Sequence, residues 1–154
     1  MPVPQVGEPA PDFELDATGD RLIRLGDFRD RQNVVLVFYP FDWSPVCSLQ
    51  LPNLQAHLNE FHALNAEVLG ISVDSRHSHR AFAEHLGLSF PLLSDYDREV
   101  TQTYGVQRDG AFAERALFVI DKRGIIRYVH VNPQGEIPDN EPVFEVLRQI
   151  EEQA

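Results

Sequence analysis

The unbroken apolar run at residues 34–39 (VVLVFY) constrains the fold of this chain more than any other feature. The run is rich in β-branched and aromatic side chains and does not alternate with polar ones. A run of this kind is typical of a strand that is buried on both faces, in the middle of a mainly parallel sheet. The sequence therefore predicts a central strand here, with other elements covering both faces of its sheet.

The segments around this strand predict an α/β chain. Before it, two alternating segments joined by a turn at 16–20 predict an N-terminal β-hairpin. After it, we expect a helix capped by Ser44 that reaches Phe61, and then further elements in this order: a strand at 68–73, a helix between Ser75 and Gly87, a short strand at 90–93, a helix at 95–104, strands at 116–120 and 125–131 in a hairpin, and a helix from Pro142. This order is that of a thioredoxin-like fold, a central mixed sheet flanked by helices. We expect residues 1–154 to form a single such domain.

The only cysteine, Cys47, falls in the first turn of the helix that follows the central strand. Ser44 suits the N-cap of this helix and Pro45 its first position. The first N–H groups of a helix lack internal partners and carry the positive end of the helix dipole, which favours a thiolate. A lone cysteine is by itself more often a small buried apolar residue. With no second cysteine, any lasting disulfide must involve another molecule.

The helix terminus alone is too weak to ionise a thiol at neutral pH. A free thiol has a pKa of ~8.5 and is a few per cent ionised at pH 7. Lowering a thiol pKa to ~6 requires about 3.4 kcal/mol in favour of the anion. A helix terminus contributes ~0.3–1 kcal/mol and ~2 kcal/mol at best. We therefore expect a cationic side chain beside Cys47.

Four segments of the chain resemble the peroxiredoxin family. Residues 38–47 (FYPFDWSPVC) resemble its active-site motif Pro-x-x-x-Thr/Ser-x-x-Cys, and residues 6–15 (VGEPAPDFEL) resemble its N-terminal signature. Residues 115–121 (RALFVID) are similar to the strand that supplies the active-site arginine, and residues 90–95 (FPLLSD) match a further family segment. Within the family, the chain is most similar to the alkyl hydroperoxidase E and bacterioferritin-comigratory branches.

The resemblance implies a thiol-dependent peroxidase that reduces hydrogen peroxide, organic hydroperoxides or both, with Cys47 as the nucleophile. Ser44 would bond both the sulfur and a peroxide oxygen, and Pro40 would shield the site from water. Arg115 would stabilise the thiolate and the charge on the leaving oxygen. Backbone amides of Val46 and Cys47 would hold the peroxide. The attack yields a sulfenic acid at Cys47 and water or an alcohol.

Three positions depart from the family pattern. The bacterioferritin-comigratory branch can carry a second cysteine where this chain has Pro52. We therefore expect a one-cysteine mechanism that depends on an external thiol or on a thioredoxin- or glutaredoxin-type reductant. Gln50 stands where related branches often have glutamate, which alters the hydrogen bonds that orient the arginine. Asp42 would oppose the thiolate if its carboxylate faced inward.

Two other functions stay open at this point. Residues 43–47 (WSPVC) resemble the thioredoxin Trp-Cys-x-x-Cys motif with Ser44 in place of the first cysteine, which would give a monothiol disulfide exchanger. The exposed nucleophile of that motif is the residue that is missing. A non-catalytic binding or holdase protein would keep the fold without needing the motif residues, all of which are present.

Charge and composition argue against several classes of partner. The chain has 13 basic and 24 acidic residues and a net charge of −11, which disfavours nucleic acid and anionic lipid surfaces. The run at 34–39 is far shorter than the ~20 residues of a membrane span. The N-terminal residues lack the basic start and apolar stretch of a secretory signal. We therefore expect a cytoplasmic protein.

The histidines do not predict a metal site. His77 and His79 form the tightest pair, but one intervening residue at a helix start is poor zinc-ligand spacing. We expect both side chains to be exposed on their helix, and we expect no metal or other cofactor. The family resemblance also implies a homodimer.

Overall fold

The structure of the 154-residue protein is a computed structural model that describes residues 2–132 and 136–153. Its strands are β1 (Glu14–Ala17), β2 (Arg21–Arg24), β3 (Asn33–Phe38), β4 (Ala66–Ser72), β5 (Leu92–Ser94), β6 (Gln107–Arg108), β7 (Phe112–Ala113), β8 (Arg115–Ile120) and β9 (Ile126–Asn132). Its α-helices are α1 (Cys47–Ala56), α2 (Leu58–Ala63), α3 (Arg76–Leu86), α4 (Glu99–Thr103) and α5 (Glu141–Gln153).

One sheet of seven strands forms the centre of the fold. Its order is β2-β1-β5-β4-β3-β8-β9. The β3–β4 and β4–β5 pairs are parallel, and the remaining pairs are antiparallel. The predicted mixed sheet and its N-terminal hairpin, β1–β2, are therefore confirmed.

The central strand β3 is buried on both faces, as its apolar run predicted. Every residue of β3 is buried. Val35 and Val37 pack in a core with residues of α1, α2, α3 and α5, whereas Val34, Leu36 and Phe38 pack in a second core on the opposite face of the sheet. Because successive side chains of a strand point to opposite faces, the apolar residues of β3 alternate between the two cores.

The helix after β3 differs from the prediction because it is interrupted. The structure has two helices, α1 and α2, with His57 between them at φ −106° and ψ 9°. The His57 ring Nδ1 lies 2.9 Å from the carbonyl oxygen of Asn53, to which it donates. Its backbone N–H donates instead to the carbonyl of Leu54. The side chain thus occupies the acceptor that a continuous helix would use, while Leu54, Leu58 and Phe61 still face the core as predicted.

The second half of the chain follows the prediction with two differences. Ser75 caps α3 by accepting from the N–H of Ser78, and Gly87 ends the helix at φ 67°, both as predicted. The next helix, α4, is shorter than expected because the Asp95 carboxylate accepts from the amides of Val100 and Thr101, so Asp95 stays outside the helix. The small β6–β7 hairpin was not predicted, since two-residue strands are too short to show an alternating pattern.

The C-terminal helix α5 turns Val143, Leu147 and Ile150 toward the core, as its spacing predicted. In the part of the chain that the structure describes, none of the helices combines the length and the apolar composition needed to cross a bilayer.

Candidate active site

Cys47 and Arg115 meet at one edge of the central sheet. The central strand β3 ends at Phe38, and the chain returns to this edge as α1, whose first residue is Cys47. The antiparallel register of β3 and β8 pairs Phe38 with Ala116, so Arg115 at the start of β8 lies beside the end of β3. The fold therefore brings together two residues that are 68 positions apart in the sequence.

Arg115 supplies the cation that the energetic argument required. Its Nη1 lies 3.2 Å from the Cys47 Sγ and 2.5 Å from Oε1 of Gln50. Cys47 is 0% exposed and Arg115 3%. Within residues 2–132 and 136–153, no carboxylate forms an ion pair with Arg115, and its Nε has no hydrogen-bond partner. A buried cation without a carboxylate strongly favours an anion beside it, and the Cys47 sulfur is the group in that position.

Gln50 orients the arginine, as its position in the sequence suggested. It lies one helical turn after Cys47 and is almost fully buried. Because an amide oxygen accepts a hydrogen bond without carrying a full charge, Gln50 holds the guanidinium but does not neutralise it. The positive charge of Arg115 is left to act on the sulfur.

The first turn of α1 adds backbone donors to the site. The N–H of Ser48 donates to the carbonyl of Ser44, and that of Gln50 donates to Val46. Among the hydrogen bonds of the described residues, none uses the amide of Val46 or Cys47 as its donor. These two N–H groups lie at the N-terminus of a helix, where an oxygen bearing negative charge can accept from them.

Ser44 does not cap the helix, so that prediction is wrong. The N-cap position belongs to Val46, and no side chain caps α1. The Ser44 hydroxyl instead donates to the carbonyl of Phe41 across 3.0 Å, within the loop that precedes the helix. Residues 45 and 46 form a turn before α1 begins, which leaves the Ser44 side chain in this loop. Its oxygen keeps free lone pairs with which to accept a further hydrogen bond.

The loop from Tyr39 to Val46 carries Pro40 and one residue with an unusual backbone conformation, Trp43. Pro40 is buried and lies two residues after the end of the central strand. Trp43 has φ 69°, a left-handed conformation that is a true outlier for a bulky side chain. A residue in such a conformation is strained by ~1–3 kcal/mol and persists only where its surroundings fix it.

Asp42 does not oppose the thiolate, because its carboxylate faces α3. Its Oδ2 lies 2.8 Å from the Nδ1 of His79 and accepts from the Ser78 hydroxyl across 2.8 Å. Its Oδ1 accepts from the Tyr39 hydroxyl across 2.7 Å. Burial, and after it the charge of Asp42, raises the pKa of Tyr39 well above its usual range, which keeps the phenol a hydrogen-bond donor.

His79 is fully buried, so the prediction that both histidines are exposed is wrong for it and right for His77. Its spacing of three and four residues from the buried Phe82 and Ala83 could have identified the buried face of α3. Ligand atoms of Asp42, Asp74 and His79 lie within 4.8 Å of one another, as a metal site would require. Asp42 and His79 already use these atoms in hydrogen bonds to each other and to neighbouring residues.

Comparisons with known proteins identify the family of this chain. Residues 6–129 match the AhpC/TSA family. The chain is 43% identical to a chloroplastic 2-cysteine peroxiredoxin of Chattonella marina var. antiqua, a match that covers 83% of this chain and 71% of the relative. It is 40% identical to peroxiredoxin-2 of Bos taurus, over 95% of this chain and 77% of the relative.

Solved structures show the same fold. The reduced 2-Cys peroxiredoxin of Plasmodium vivax superposes with a TM-score of 0.88 at 30% identity, covering 96% of this chain and 97% of that one. AhpC of Mycobacterium bovis superposes with a TM-score of 0.89 at 25% identity, covering 100% and 96%. Two of these relatives are described as 2-cysteine enzymes, whereas this chain has one cysteine. The chain therefore belongs to the AhpC/TSA family of peroxiredoxins and is a thiol-dependent peroxidase whose single cysteine fits a one-cysteine mechanism.

Proposed function

We propose that Cys47 attacks hydrogen peroxide, organic hydroperoxides or both, with Arg115, Ser44, Pro40 and the Val46 amide completing the site. The observation that carries the proposal is the 3.2 Å contact between the Arg115 guanidinium and the Cys47 sulfur in a buried site. The thiolate attacks one peroxide oxygen in line with the O–O bond. A sulfur–oxygen bond forms as the O–O bond breaks, which leaves a sulfenic acid on Cys47. The departing oxygen takes a proton and leaves as water or an alcohol.

The groups around Cys47 bind the peroxide or stabilise the negative charge that passes from the sulfur to the departing oxygen. The unpaired Nε of Arg115 is a buried donor available to the peroxide or to the departing oxygen. The free amides of Val46 and Cys47 bind a peroxide oxygen at the start of α1. The Ser44 hydroxyl oxygen accepts a hydrogen bond from the peroxide O–H, while its own hydrogen is donated to the carbonyl of Phe41. Pro40 excludes water from the edge of the sheet.

The direct test is to mix pre-reduced protein with an equimolar hydroperoxide and to record both intact mass and residual peroxide. The peroxidase consumes peroxide stoichiometrically and gains one oxygen at Cys47. A disulfide exchanger or a holdase leaves the peroxide unchanged. The position of the exposed nucleophile of a disulfide exchanger holds Ser44, which argues against that function.

Removal of the Ser44 hydroxyl is expected to slow peroxide reduction much more than it lowers stability. A hydrogen bond between neutral groups is worth ~0.5–1.5 kcal/mol, so Ser44→Ala should reduce the rate roughly 2–10-fold. Ser44→Thr keeps the hydroxyl and serves as the matched control. Stopped-flow peroxide rates and the free energy of unfolding are measured for all three proteins. Equal rates for Ser44→Ala and the parent would remove Ser44 from the peroxide-binding role.

Turnover is expected to need a second, external thiol. After the attack, the sulfenic acid on Cys47 has no partner among the other residues of the sequence, since Cys47 is its only cysteine. A second peroxide converts it to the sulfinic form, which is generally irreversible. Without reductant, the protein should reduce about one equivalent of peroxide rapidly and then stop. Addition of a low-molecular-weight thiol, or of a thioredoxin- or glutaredoxin-type protein, should restore continuous turnover.

The reductant experiment is read by a peroxide time course and by mass analysis for a mixed disulfide on Cys47. A sample treated with excess peroxide before the thiol is added serves as the control, because its sulfinic cysteine should not recover. Sustained turnover in the complete absence of thiol would contradict the one-cysteine mechanism. A disulfide between two Cys47 residues would show that a second copy of the chain, and not an external thiol, reacts with the sulfenic acid.

For its assembly we propose the homodimer that the family resemblance implied. The exposed apolar side chains Phe41, Trp43 and Leu49 lie close together in sequence, which supports a contact surface beside the site. Sedimentation of the reduced protein over a range of concentrations tests this proposal. The cytoplasmic location and the lack of nucleic-acid or membrane partners stay predictions.

A further inference from the structure

A buried pair, Asp42 and His79, fixes the loop that carries Pro40 and Ser44. The side chains of both residues are 0% exposed, and Oδ2 of Asp42 lies 2.8 Å from Nδ1 of His79. Two further donors, from Tyr39 and Ser78, complete the hydrogen bonds of the carboxylate. The backbone N–H of Asp42 donates to Oδ2 of Asp74 across 2.8 Å. The first turn of α3 and the loop after β4 therefore hold both the main chain and the side chain of Asp42.

Both ring nitrogens of His79 face acceptors. Nε2 lies 2.9 Å from the carbonyl oxygen of Leu93, which can only accept, so Nε2 carries a hydrogen. Nδ1 faces the carboxylate of Asp42. One proton therefore lies between Nδ1 of His79 and Oδ2 of Asp42 and joins the two side chains by a hydrogen bond. Through its second ring nitrogen, His79 links Asp42 to β5.

The residue after Asp42 shows why this loop needs an anchor. Trp43 is held in the left-handed conformation, and its ring packs on Phe82 and His85 of α3 at centroid distances of 5.0 Å and 5.2 Å. Ser44 follows immediately. Without the anchor at Asp42, Trp43 would relax to an ordinary conformation and rotate Ser44 away from its present direction.

We propose that the Asp42–His79 pair positions the peroxide-binding loop and thereby sets the rate at which Cys47 reacts with peroxide. Neither residue contacts the Cys47 sulfur in the structure, so the pair acts through Ser44 and Pro40. The inference rests on the proposed function, because it needs Ser44 to contact the peroxide. In this proposal, the residues of α3 position Ser44 and Pro40, whereas Arg115 stabilises the thiolate.

Two substitutions of His79 separate the two hydrogen bonds of the ring. The side-chain nitrogen of asparagine can replace Nδ1, so His79→Asn can keep the bond to Asp42 and lose the bond to Leu93. Glutamine is longer, and its nitrogen can replace Nε2, so His79→Gln can keep the bond to Leu93 and lose the bond to Asp42. His77→Gln, at an exposed position of the same helix, is the matched control.

The rate of Cys47 oxidation by peroxide is measured in single turnover, and the rate of Cys47 alkylation by iodoacetamide is measured in parallel. Small displacements of groups at a reacting centre cost roughly 10–100-fold in rate, and His79→Gln is expected to lose this much against peroxide while its alkylation rate changes little. His79→Asn should retain most of the peroxide rate, and His77→Gln all of it. Thermal unfolding of each variant shows whether it is folded at the assay temperature.

Three outcomes would overturn the inference. The first is a parental peroxide rate in His79→Gln, and the second is a parallel fall in its peroxide and alkylation rates. The third is an equal loss in His79→Asn and His79→Gln, which would mean that the bond to Asp42 does not matter. If His79→Gln does not fold, Ser78→Ala removes another donor to Asp42, and it should lower the peroxide rate in the same selective way. A parent protein that fails to gain oxygen at Cys47 would refute the proposed function itself, which distinguishes the two failures.

Discussion

Replacement of Cys47 by serine is expected to abolish peroxide reduction while the fold persists. The chain has no other thiol that could take over the reaction. A serine hydroxyl is close to a thiol in size but is not ionised at neutral pH, so it fills the site without acting as a nucleophile. Peroxide consumption should fall to the level of the uncatalysed reaction. Circular dichroism and thermal unfolding check that the variant is folded.

Ser48→Ala is the matched control for this experiment. It changes the next residue of α1, whose backbone hydrogen bond to Ser44 does not involve its side chain. This variant should keep the peroxide rate of the parent. Stoichiometric peroxide consumption by Cys47→Ser would show that another group carries the reaction, and the whole mechanism would have to be abandoned.

Replacement of Arg115 by methionine is expected to lower the rate with peroxide by about 10²–10³-fold, the usual cost of removing one donor aimed at developing charge. Methionine fills similar volume but leaves the sulfur without its cation and the leaving oxygen without a donor. The fraction of thiolate at neutral pH should fall as well. Stopped-flow fluorescence can follow the oxidation, because Trp43 is the only tryptophan, and ultraviolet absorbance reports the thiolate.

Arg115→Lys separates charge from geometry. Lysine keeps a positive charge but lacks the planar guanidinium, whose Nη1 bonds both the sulfur and Gln50 and whose Nε is left for the peroxide. It should recover part of the thiolate fraction and little of the peroxide rate. An unchanged thiolate absorbance in Arg115→Met would remove Arg115 from the stabilisation of the anion, and an unchanged peroxide rate would remove it from the reaction.

Local sequence signals predicted the fold where one physical cause decides the structure. The run at 34–39 has no charged side chain and does not alternate with polar residues, which suits a strand between two cores. Ser75 and Gly87 mark the ends of α3 because an N-cap oxygen and a left-handed C-cap each satisfy groups that the helix leaves open. The break at His57 could not be predicted in the same way, since it depends on a side chain that competes with its own backbone.

The site was predicted less completely than the fold. The active-site motif identified Cys47, and the energetic argument required a cation that the structure supplies as Arg115. The loop between β3 and α1 was harder, because long-range contacts decide its conformation. Asp42 and Ser44 are two residues apart, yet the first bonds to α3 and the second bonds within the loop. A periodic pattern carries no information about such contacts, so Ser44 was wrongly assigned to the helix cap.

Because Cys47 is completely buried, its oxidation by peroxide and its reduction by a thiol place different demands on the structure. A hydroperoxide group is much smaller than a thiol reductant, whose sulfur must approach along the S–O bond, so we expect the first turn of α1 to open before the reductant reacts. Pro52 lacks the N–H that would bond the carbonyl of Ser48, which leaves this turn one hydrogen bond short. At low reductant concentration, each thiol shows its own reactivity. At saturation, we expect the opening of this turn to become the slow step, so that chemically different thiols reach the same maximal turnover.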